Sequence, residues 1–243
     1  MSEKQFFILK DEPASDGSVV LSGSEFHHMT RVGRMNCGDT VYLLDGLGTT
    51  FKGVIMELRK DSALIDITER FREDEMPRFD IAIGVIKAQR MDMAVEKVTE
   101  LGVSGIIPLI SSRSVWKGDD VKKRQKRDRL ERKVAAACKQ SGRAFFPEVH
   151  PLTSFDSLIE MASRYDTVLL ADDEGESPDI DIDLSHSVLG IVGPEGGFSE
   201  SERDALLQAG AYTVWLSRKR LRTETASICL AFLVRRMTAV ERK

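Results

Sequence analysis

The glycine-rich segment Gly193-Pro194-Glu195-Gly196-Gly197-Phe198-Ser199 joins two segments of opposite character. It follows the nearly unbroken apolar run SVLGIVG (187–193), which is typical of a strand buried on both faces of a parallel sheet. After it, Ser199 and Glu202 have the spacing of a capping box, which predicts a helix over SESERDALLQAG that ends at Gly210. Strand, glycine-rich loop and helix in this order indicate an α/β fold.

The glycine-rich loop has two interpretations. In open α/β sheets, ligands bind outside the carboxyl ends of the strands, where glycines let the backbone approach the ligand closely. For a bare GxxGG pattern, a tight left-handed turn that binds nothing is the favoured interpretation. The loop has neither the GxGxxG pattern of dinucleotide sites nor the GK[ST] of triphosphate sites, so nicotinamide and ATP chemistry are disfavoured.

A second loop, LSRKRLRTETA (216–226), leaves the next predicted strand and enters the last predicted helix. Two consecutive loops at one edge of a sheet can enclose one small molecule. Arg222 and Glu224 would offer polar groups in such a pocket. The alternative is that they form a structural ion pair at the start of the helix.

Alternation of strands and helices continues through the C-terminal two thirds of the chain and predicts a parallel sheet with helices on both faces. The predicted strands are DIAIGVI (80–86), GIIPLIS (105–111), FFPEV (145–149), TVLLAD (167–172) and YTVWLS (212–217), and the predicted helices cover 91–102, about 122–141, 154–164 and 223–240.

The N-terminal part has a different rhythm. The runs VVLSG, DTVYLLDG, TTFKGVIMEL and SALIDITER are short, rich in β-branched residues and separated by turn signals, which predicts a small antiparallel barrel. A short helix is expected from Ser24, with His27 and His28 near its start. The charged segment REDEMPRF (72–79) contains Pro77 and is the predicted linker. The predicted domains are therefore 1–72 and 73–243.

Composition excludes several classes of protein. The chain has 243 residues, 42% of them hydrophobic, enough for one large or two modest domains with a real core. No apolar run is long enough to span a membrane and no signal sequence precedes the first strand, so we expect no membrane partner and a cytoplasmic location. Three cysteines without CxxC spacing and four histidines predict neither disulfides nor a metal site.

Charge is strongly segregated along the chain, although the formal net charge is only −4. Residues 117–143 contain 11 Lys or Arg against 4 Asp or Glu, and residues 172–183 contain 7 acids and no base. In the basic block, Leu130, Val134, Ala137 and Cys138 recur at helical spacing, which leaves most cations on the opposite face. Such a face suits a phosphate backbone. An ordinary solvated helix face is the alternative.

The two loop motifs resemble those of a known protein family. GPEGGFSESE and LSRKRLRTETA, separated by one helix and one strand, resemble the paired signature loops of the SPOUT (trefoil-knot) RNA methyltransferases, and specifically the RsmE family, which methylates N3 of a uridine in 16S ribosomal RNA. Ser217, Lys219 and Arg220 depart from the family pattern, which has a glycine and an apolar residue in this region. Further matching stretches are 87–92, 96–103, 108–114, the QSGR motif at 140–143 and, for an N-terminal PUA-like domain, residues 28–31, 34 and 38–39.

The resemblance implies a C-terminal trefoil-knotted SPOUT (α/β knot) domain and a small N-terminal PUA-like β-barrel. Periodicity alone cannot reveal a knot, because true knots are rare exceptions. The implied cofactor is S-adenosyl-L-methionine (SAM), held in a bent shape between the two loops. The residues implied to bind it are Leu170, Gly193, Pro194, Glu195, Gly196, Gly197, Leu216, Leu221, Thr223, Thr225 and Ala226.

Uracil N3 carries a proton and is a poor nucleophile until the proton leaves. A site for this reaction must favour the anionic base through a general base, through cationic stabilisation, or through both. Arg222 and Arg113 are the candidates for stabilising the anion, and Glu195 or Glu224 for removing the proton. The sequence does not decide between the two carboxylates.

The implied substrate is 16S ribosomal RNA, either free or in the assembled small ribosomal subunit. Because N3 lies on the Watson–Crick edge, the target uridine must be unpaired or flipped out. The family implies a homodimer, and the apolar last helix, with Ile228, Leu230, Phe232 and Leu233, could supply its interface or could simply pack in the core. The candidate RNA-binding residues are His28, Arg31, Arg34, Lys87, Arg90, Arg113, Lys122, Lys123, Arg124, Lys139 and Arg143.

Three other functions are alternatives to methylation of a uridine at N3. A SPOUT methyltransferase could modify another RNA atom, such as a ribose 2′-hydroxyl or a purine nitrogen. A non-catalytic RNA-binding assembly factor could keep the fold without the reaction. A nucleotide-dependent α/β enzyme is the third alternative.

Overall fold

A computed structural model describes residues 4–114, 116, 118–176 and 186–240. Most of the predicted acidic loop therefore lies outside the described residues. The chain divides into two units, the first made of Met1–Glu75 and Ala135–Phe146, the second of Met76–Val134 and Pro147–Lys243. The contiguous domains expected from the sequence did not include the return of Ala135–Phe146 to the first unit. Hydrogen bonds from Gly48 N to the Ala144 carbonyl and from Ala144 N to the Glu73 carboxylate account for it.

The first unit is a five-stranded sheet with the strand order β1-β3-β4-β5-β2. Its pairs are antiparallel except β1–β3, which is parallel. Phe7 of β1 and Val19 of β2 lie on opposite edge strands but in one core, so the sheet curls around that core. The elements are β1 Phe6–Ile8, β2 Ser18–Ser22, α1 Gly23–His27, a π-helical turn His28–Val32, β3 Thr40–Leu44, β4 Thr49–Leu58 and β5 Ser62–Arg72.

Two sequence expectations for this unit need correction. Strand β1 was not predicted, because three residues are too few to show alternation. His27 ends α1 and His28 opens the π-helical turn, so the two histidines lie at the end of the short helix and not at its start.

The second unit is a wholly parallel sheet with the order β12-β10-β11-β6-β7-β8, and β9 also pairs with β7. Its strands are β6 Phe79–Gly84, β7 Gly105–Ile110, β8 Glu148–Val149, β9 Thr153–Ser154, β10 Thr167–Glu176, β11 Val188–Val192 and β12 Tyr212–Val214. Its helices are α2 Ala88–Glu100, α3 Asp120–Ser141, which continues into the first unit, α4 Phe155–Ala162, α5 Glu200–Gln208 and α6 Thr223–Val240.

Apolar side chains of this sheet are buried under helices. Leu158 of α4 and Leu206 of α5 share a core with alternate strand residues such as Ala82 and Ile191. Helices α2 and α6 pack against each other, and α6 also packs on β6 and β11. All five residues of β11 are buried, which explains why its sequence is a continuous apolar run.

Two predicted strands are shortened by half or more in the structure. The run 212–217 forms a strand only over Tyr212–Val214, because Trp215 and the residues after it leave the sheet and line a pocket. Only Glu148 and Val149 of FFPEV are in a strand, since Phe146 instead donates its N–H to the Gly46 carbonyl in the first unit.

Close packing brings the glycine-rich loop against the end of β6. A Cβ on Gly84 would lie 2.2 Å from Pro194 N, so only glycine permits this approach. Gly197 has φ of +67°, a conformation that favours glycine, and its N–H closes a turn on the Pro194 carbonyl. The predicted capping box of Ser199 and Glu202 is confirmed.

Candidate active site

A pocket of about 620 Å³ lies at the carboxyl ends of β10, β11 and β12, between the loop 193–198 and the loop 215–223. Parallel neighbours in a sheet end at the same edge, so the loops that follow them meet there. Of the predicted cofactor residues, Thr225 is exposed and does not line the pocket. Those that do line it are Leu170, Gly193, Pro194, Glu195, Gly196, Gly197, Leu216, Leu221, Thr223 and Ala226.

Sequence reasoning missed part of the lining. Trp215 adds an aromatic side chain to the pocket lining beside Leu216. It directly precedes the predicted loop 216–226, and this position could have indicated that it lines the pocket. Arg203 reaches the pocket from α5 and pairs with Asp172 at 2.6 Å, a contact that no local pattern indicates. The other missed residues are Ala171, Asp173, Val192, Phe198, Ser217, Lys219 and Arg220.

Carbonyl oxygens of the glycine-rich loop are occupied by donors of the protein itself. The Thr223 hydroxyl donates to Gly193 O at 2.9 Å, Gly197 N to Pro194 O at 2.8 Å, Arg220 Nη2 to Glu195 O at 3.4 Å, and Arg113 Nη1 to Gly196 O at 3.1 Å and to Phe198 O at 3.0 Å. Within the described chain, the N–H groups of Glu195, Gly196 and Phe198 have no protein acceptor. The loop therefore offers donors to a ligand and keeps its acceptors engaged.

Arg113 is anchored by the helix that follows the glycine-rich loop. Its neighbour Ser112 donates both its N–H and its hydroxyl to Glu202, at 2.7 and 2.8 Å. Burial would raise the pKa of the Glu202 carboxyl, but the hydrogen bonds from Ser112 and Ser199 outweigh it and hold that pKa below its usual value. Arg113 thus lines the pocket with its guanidinium committed to two carbonyls.

Arg90 connects the two candidate carboxylates. Its Nη1 donates to Glu195 Oε1 at 2.9 Å, and its Nε lies 3.7 Å from Glu224 Oε1. The Glu224 side chain is only 8% exposed and its Oε2 is buried without a hydrogen-bond partner. Glu224 does not line the pocket, although Thr223 and Arg90 beside it do.

Arg222 differs from the other arginines of the pocket. It is exposed, lines the pocket, and makes no side-chain hydrogen bond or ion pair within the described residues. Its positive charge is therefore available to a ligand.

The predicted RNA-binding residues are divided between the two units. In the second unit Arg90 and Arg113 belong to the pocket, and Lys123 pairs with Asp120 at 3.0 Å. In the first unit Lys139 pairs with Glu25 at 2.9 Å, and burial lowers the pKa of the half-buried Arg143 guanidinium. The predicted residues that are exposed are His28, Arg31, Arg34, Lys87, Lys122 and Arg124. As predicted, Leu130, Val134, Ala137 and Cys138 of α3 are buried.

The described residues contain neither a metal-binding cluster nor a membrane-spanning helix. No group of three or more His, Cys, Asp or Glu could hold a metal ion. No helix among them is long and apolar enough to cross a bilayer.

Comparison with known proteins assigns the family. An RNA methyltransferase domain family matches residues 73–235, and an RNA methyltransferase PUA domain family matches residues 21–68. Ribosomal RNA small subunit methyltransferase E of Bacillus subtilis (strain 168) is 33% identical over 219 residues, which cover 86% of each chain. The chain belongs to the ribosomal RNA small subunit methyltransferase E family.

Solved structures agree with this family. A methyltransferase E from Neisseria gonorrhoeae, bound to S-adenosyl methionine, superposes with a TM-score of 0.85 at 26% identity, over 97% of this chain and 98% of that one. A methyltransferase from Legionella pneumophila in complex with SAM gives a TM-score of 0.88 at 26% identity, with the same coverage. The predicted fold class, a SPOUT α/β domain with an N-terminal PUA-like domain, is confirmed.

Proposed function

We propose that this methyltransferase E family member transfers a methyl group from SAM to N3 of a uridine in 16S ribosomal RNA of the small ribosomal subunit. The observation that carries the proposal is a pocket between two loops that is lined by Arg222, whose side chain makes no hydrogen bond or ion pair within the described residues and is free to face an anionic base. Family membership and the SAM-bound relatives support the cofactor and the substrate class.

The residues around the pocket fit SAM. A volume of about 620 Å³ is within the range of cofactor sites. Leu170, Leu216 and Leu221 give apolar walls, and the N–H groups of Glu195 and Gly196 are donors for nitrogen or carboxylate acceptors. When bound, SAM supplies an electrophilic methyl group on a sulfonium that already carries its leaving group.

Arg222 would stabilise negative charge on the uracil as N3 loses its proton. A fixed cation in a partly enclosed pocket acts on developing charge more strongly than it would in water. Arg113 would act differently from the expectation, because its guanidinium holds Gly196 O and Phe198 O. We assign it to shaping the loop, which aligns the reacting groups.

Of the two carboxylates, Glu195 is the stronger candidate for accepting the N3 proton, because it lines the pocket and Glu224 does not. Glu195 accepts a hydrogen bond from Arg90 at 2.9 Å, which holds its carboxylate at the pocket wall. Glu224 is held by Arg90 less closely, at 3.7 Å, and its Oε2 has no partner. We assign Glu224 to holding Arg90, whose other contact orients Glu195.

The substrate would be held at several places. Exposed cations of α3 such as Lys122 and Arg124, and Arg31 and Arg34 of the first unit, would bind the RNA backbone without reading its sequence. The target uridine would enter the pocket unpaired. An enzyme acting on 16S RNA or on the assembled small subunit would work in the cytoplasm.

Incubation of the purified protein with SAM and 16S RNA, or with small subunits from a strain lacking this activity, tests the proposal. Nucleoside mass spectrometry should show 3-methyluridine with either substrate. A ribose-methylated nucleoside or a methylated purine would reassign the target atom. Transfer of no methyl group to either substrate would contradict the enzymatic function and favour an assembly factor.

We further infer that the chain works as a homodimer through α6. Phe232 of α6 is 58% exposed and Ile228, one turn earlier, is half-buried, while Leu230 is buried in the core of its own subunit. An exposed aromatic on an apolar helix fits a subunit interface. Light scattering should show a dimer for the wild type and a monomer for Phe232→Glu. A monomeric wild type would contradict the inference.

A further inference from the structure

Three consecutive basic residues, Arg218, Lys219 and Arg220, form an exposed segment between β12 and α6, which we call the cationic bend. Lys219 and Arg220 line the pocket. Two of its residues, Lys219 and Arg220, are positions at which the loop departs from the family pattern. It is therefore a feature of this chain that the shared loop motifs do not explain.

The charge of the cationic bend is not neutralised within the described part of the protein. None of its three side chains makes an ion pair there. Arg220 Nη2 donates to the Glu195 carbonyl at 3.4 Å, but that acceptor is neutral and leaves the charge of the guanidinium in place. A hydrogen bond to a carbonyl orients Arg220 toward the pocket without cancelling its field.

Acids of the pocket do not compensate for these cations. Six basic and three acidic side chains line the described pocket, an excess of three positive charges. Two of the acids are already engaged, Glu195 by Arg90 and Asp172 by Arg203. Only Asp173 is left without an ion pair among the acids that line the pocket. A concave site of one sign concentrates ligands of the opposite sign.

SAM is a poor match for this excess, because its sulfonium and ammonium groups outnumber its single carboxylate. RNA is a good match, because every nucleotide carries a phosphodiester. A uridine turned out of its stack into the pocket brings its two flanking phosphates to the pocket mouth. The bend lies at that mouth, since its residues are exposed and two of them also line the pocket.

We propose that the cationic bend binds the phosphodiester groups that flank the target uridine, with Lys219 and Arg220 as the contacts. The inference rests on the proposed function and adds the place where the single strand is gripped next to the reacting base. Phosphate contacts of this kind fix position and do not read sequence. The bend would thus hold any accessible uridine-containing strand.

The test is the salt dependence of RNA binding, measured without SAM. Fluorescence anisotropy of a labelled single-stranded oligonucleotide with a central uridine would be followed for the wild type and for the double variant Lys219→Gln/Arg220→Gln. Loss of two contacts to a single strand should reduce the slope of log K against log salt by about 1.4. Affinity at low salt should fall by roughly tenfold.

Control variants test whether a change in the slope comes from contacts at the cationic bend or from a change in the total charge of the protein. Arg164 is an exposed cation that precedes β10, at the opposite edge of the sheet from the pocket, and Arg164→Gln should leave the slope unchanged. Lys219→Arg/Arg220→Lys keeps both charges and should keep the slope. Calorimetry should show that the glutamine variant still binds SAM, at least as tightly as the wild type, because two charges that repel the cationic cofactor are gone. Retained binding also shows that the pocket is folded.

Two results would overturn the inference. One is a slope equal to that of the wild type, and the other is lost SAM affinity with unchanged RNA binding, which would assign the bend to the cofactor carboxylate. Failure of the proposed function looks different, because the wild type would then transfer no methyl group in the assay above, whatever the slope of the variant.

Discussion

Arg90 Nη1 lies 2.9 Å from Glu195 Oε1, a contact between residues 105 positions apart in the chain. The same guanidinium places its Nε 3.7 Å from the buried Glu224. One arginine at the start of α2 thus joins the glycine-rich loop to the first turn of α6. Together with the hydrogen bonds from Thr223 to Gly193 O and from Arg220 to Glu195 O, this contact links the two loops that form the pocket.

Arg90→Gln should destabilise the protein. Glu224 would keep a buried charge without a counter-charge, and because Arg90 itself is 36% exposed we expect a modest cost of about 1–3 kcal/mol. Chemical denaturation measures this cost. In the double variant Arg90→Gln/Glu224→Gln part of the loss should be recovered, since the orphaned charge is gone.

The control for this experiment is Arg127→Gln, which breaks the more exposed pair with Glu131 on α3 and should cost only about 0.3–0.5 kcal/mol. Equal losses for the two single variants, with no recovery in the double variant, would contradict the bridging role of Arg90.

Glu202→Gln should show a pH-dependent loss of stability. The pKa of Glu202 is lowered in the folded state, so the carboxylate contributes stability above its unfolded pKa and loses it as pH falls through the folded pKa. Thermal unfolding at neutral pH should show a destabilisation of about 1–3 kcal/mol. Below the ordinary Glu value of about 4.3 the difference should shrink.

Glu200 offers the comparison, since it is an exposed acid in the same first turn of α5. Glu200→Gln should change stability little at any pH. If the difference in stability between the wild type and Glu202→Gln stayed constant across the acidic range, packing and not the charged carboxylate would link Ser112 to α5.

Arg222→Ala should lower kcat much more than SAM affinity. Its side chain has no protein partner within the described residues, so its removal breaks no contact of the fold and takes away only a charge beside the reacting base. Loss of such electrostatic stabilisation costs about 100-fold or more in kcat. Single-turnover methylation and calorimetry give the two quantities separately.

Arg222→Lys keeps the charge and should retain more activity than Arg222→Ala. If kcat and SAM affinity fell by the same factor in the alanine variant, the arginine would be a scaffold for the cofactor loop.

The salt concentration should change the ratio between the protein's affinities for SAM and for S-adenosylhomocysteine, the product of methyl transfer. SAM carries one more positive charge than S-adenosylhomocysteine, and the pocket has an excess of three positive charges. Repulsion should therefore weaken SAM relative to the product at low salt, and screening should reduce the difference by roughly threefold as the Debye length shortens. Calorimetric titration of both ligands at two salt concentrations measures the ratio. A ratio that does not change would show that the pocket field does not reach the sulfonium.

Local patterns predicted much of the second unit. The limits of α6, residues 223–240, were predicted from periodicity, and the Ser199–Glu202 capping box from spacing alone. Both are stabilised by hydrogen bonds between residues three or four apart, so the sequence contains the whole interaction. The two loops around the pocket were placed together for a related reason, because they follow strands that end at one edge of the sheet.

Local sequence patterns did not predict contacts between residues that are far apart in the chain. Arg113 is a predicted candidate for stabilising the anion, and no local pattern indicated that its guanidinium donates to two carbonyls of the glycine-rich loop. Arg90 is a predicted RNA-binding residue, and no local pattern indicated that it also lies between two carboxylates. Each role depends on which partner lies within about 3–4 Å, and no periodicity encodes that.

The sequence alone determined that this chain has an α/β domain with paired loops and belongs with RNA methyltransferases, since apolar periodicity and loop motifs are local properties. Only the tertiary structure decided which of the pocket's cations are committed and which are available. Arg90 and Arg203 are neutralised by carboxylates, and Arg222 and Lys219 are not. The physical reason is that the effect of a charge depends on its neighbours in space, which folding brings together from distant parts of the chain.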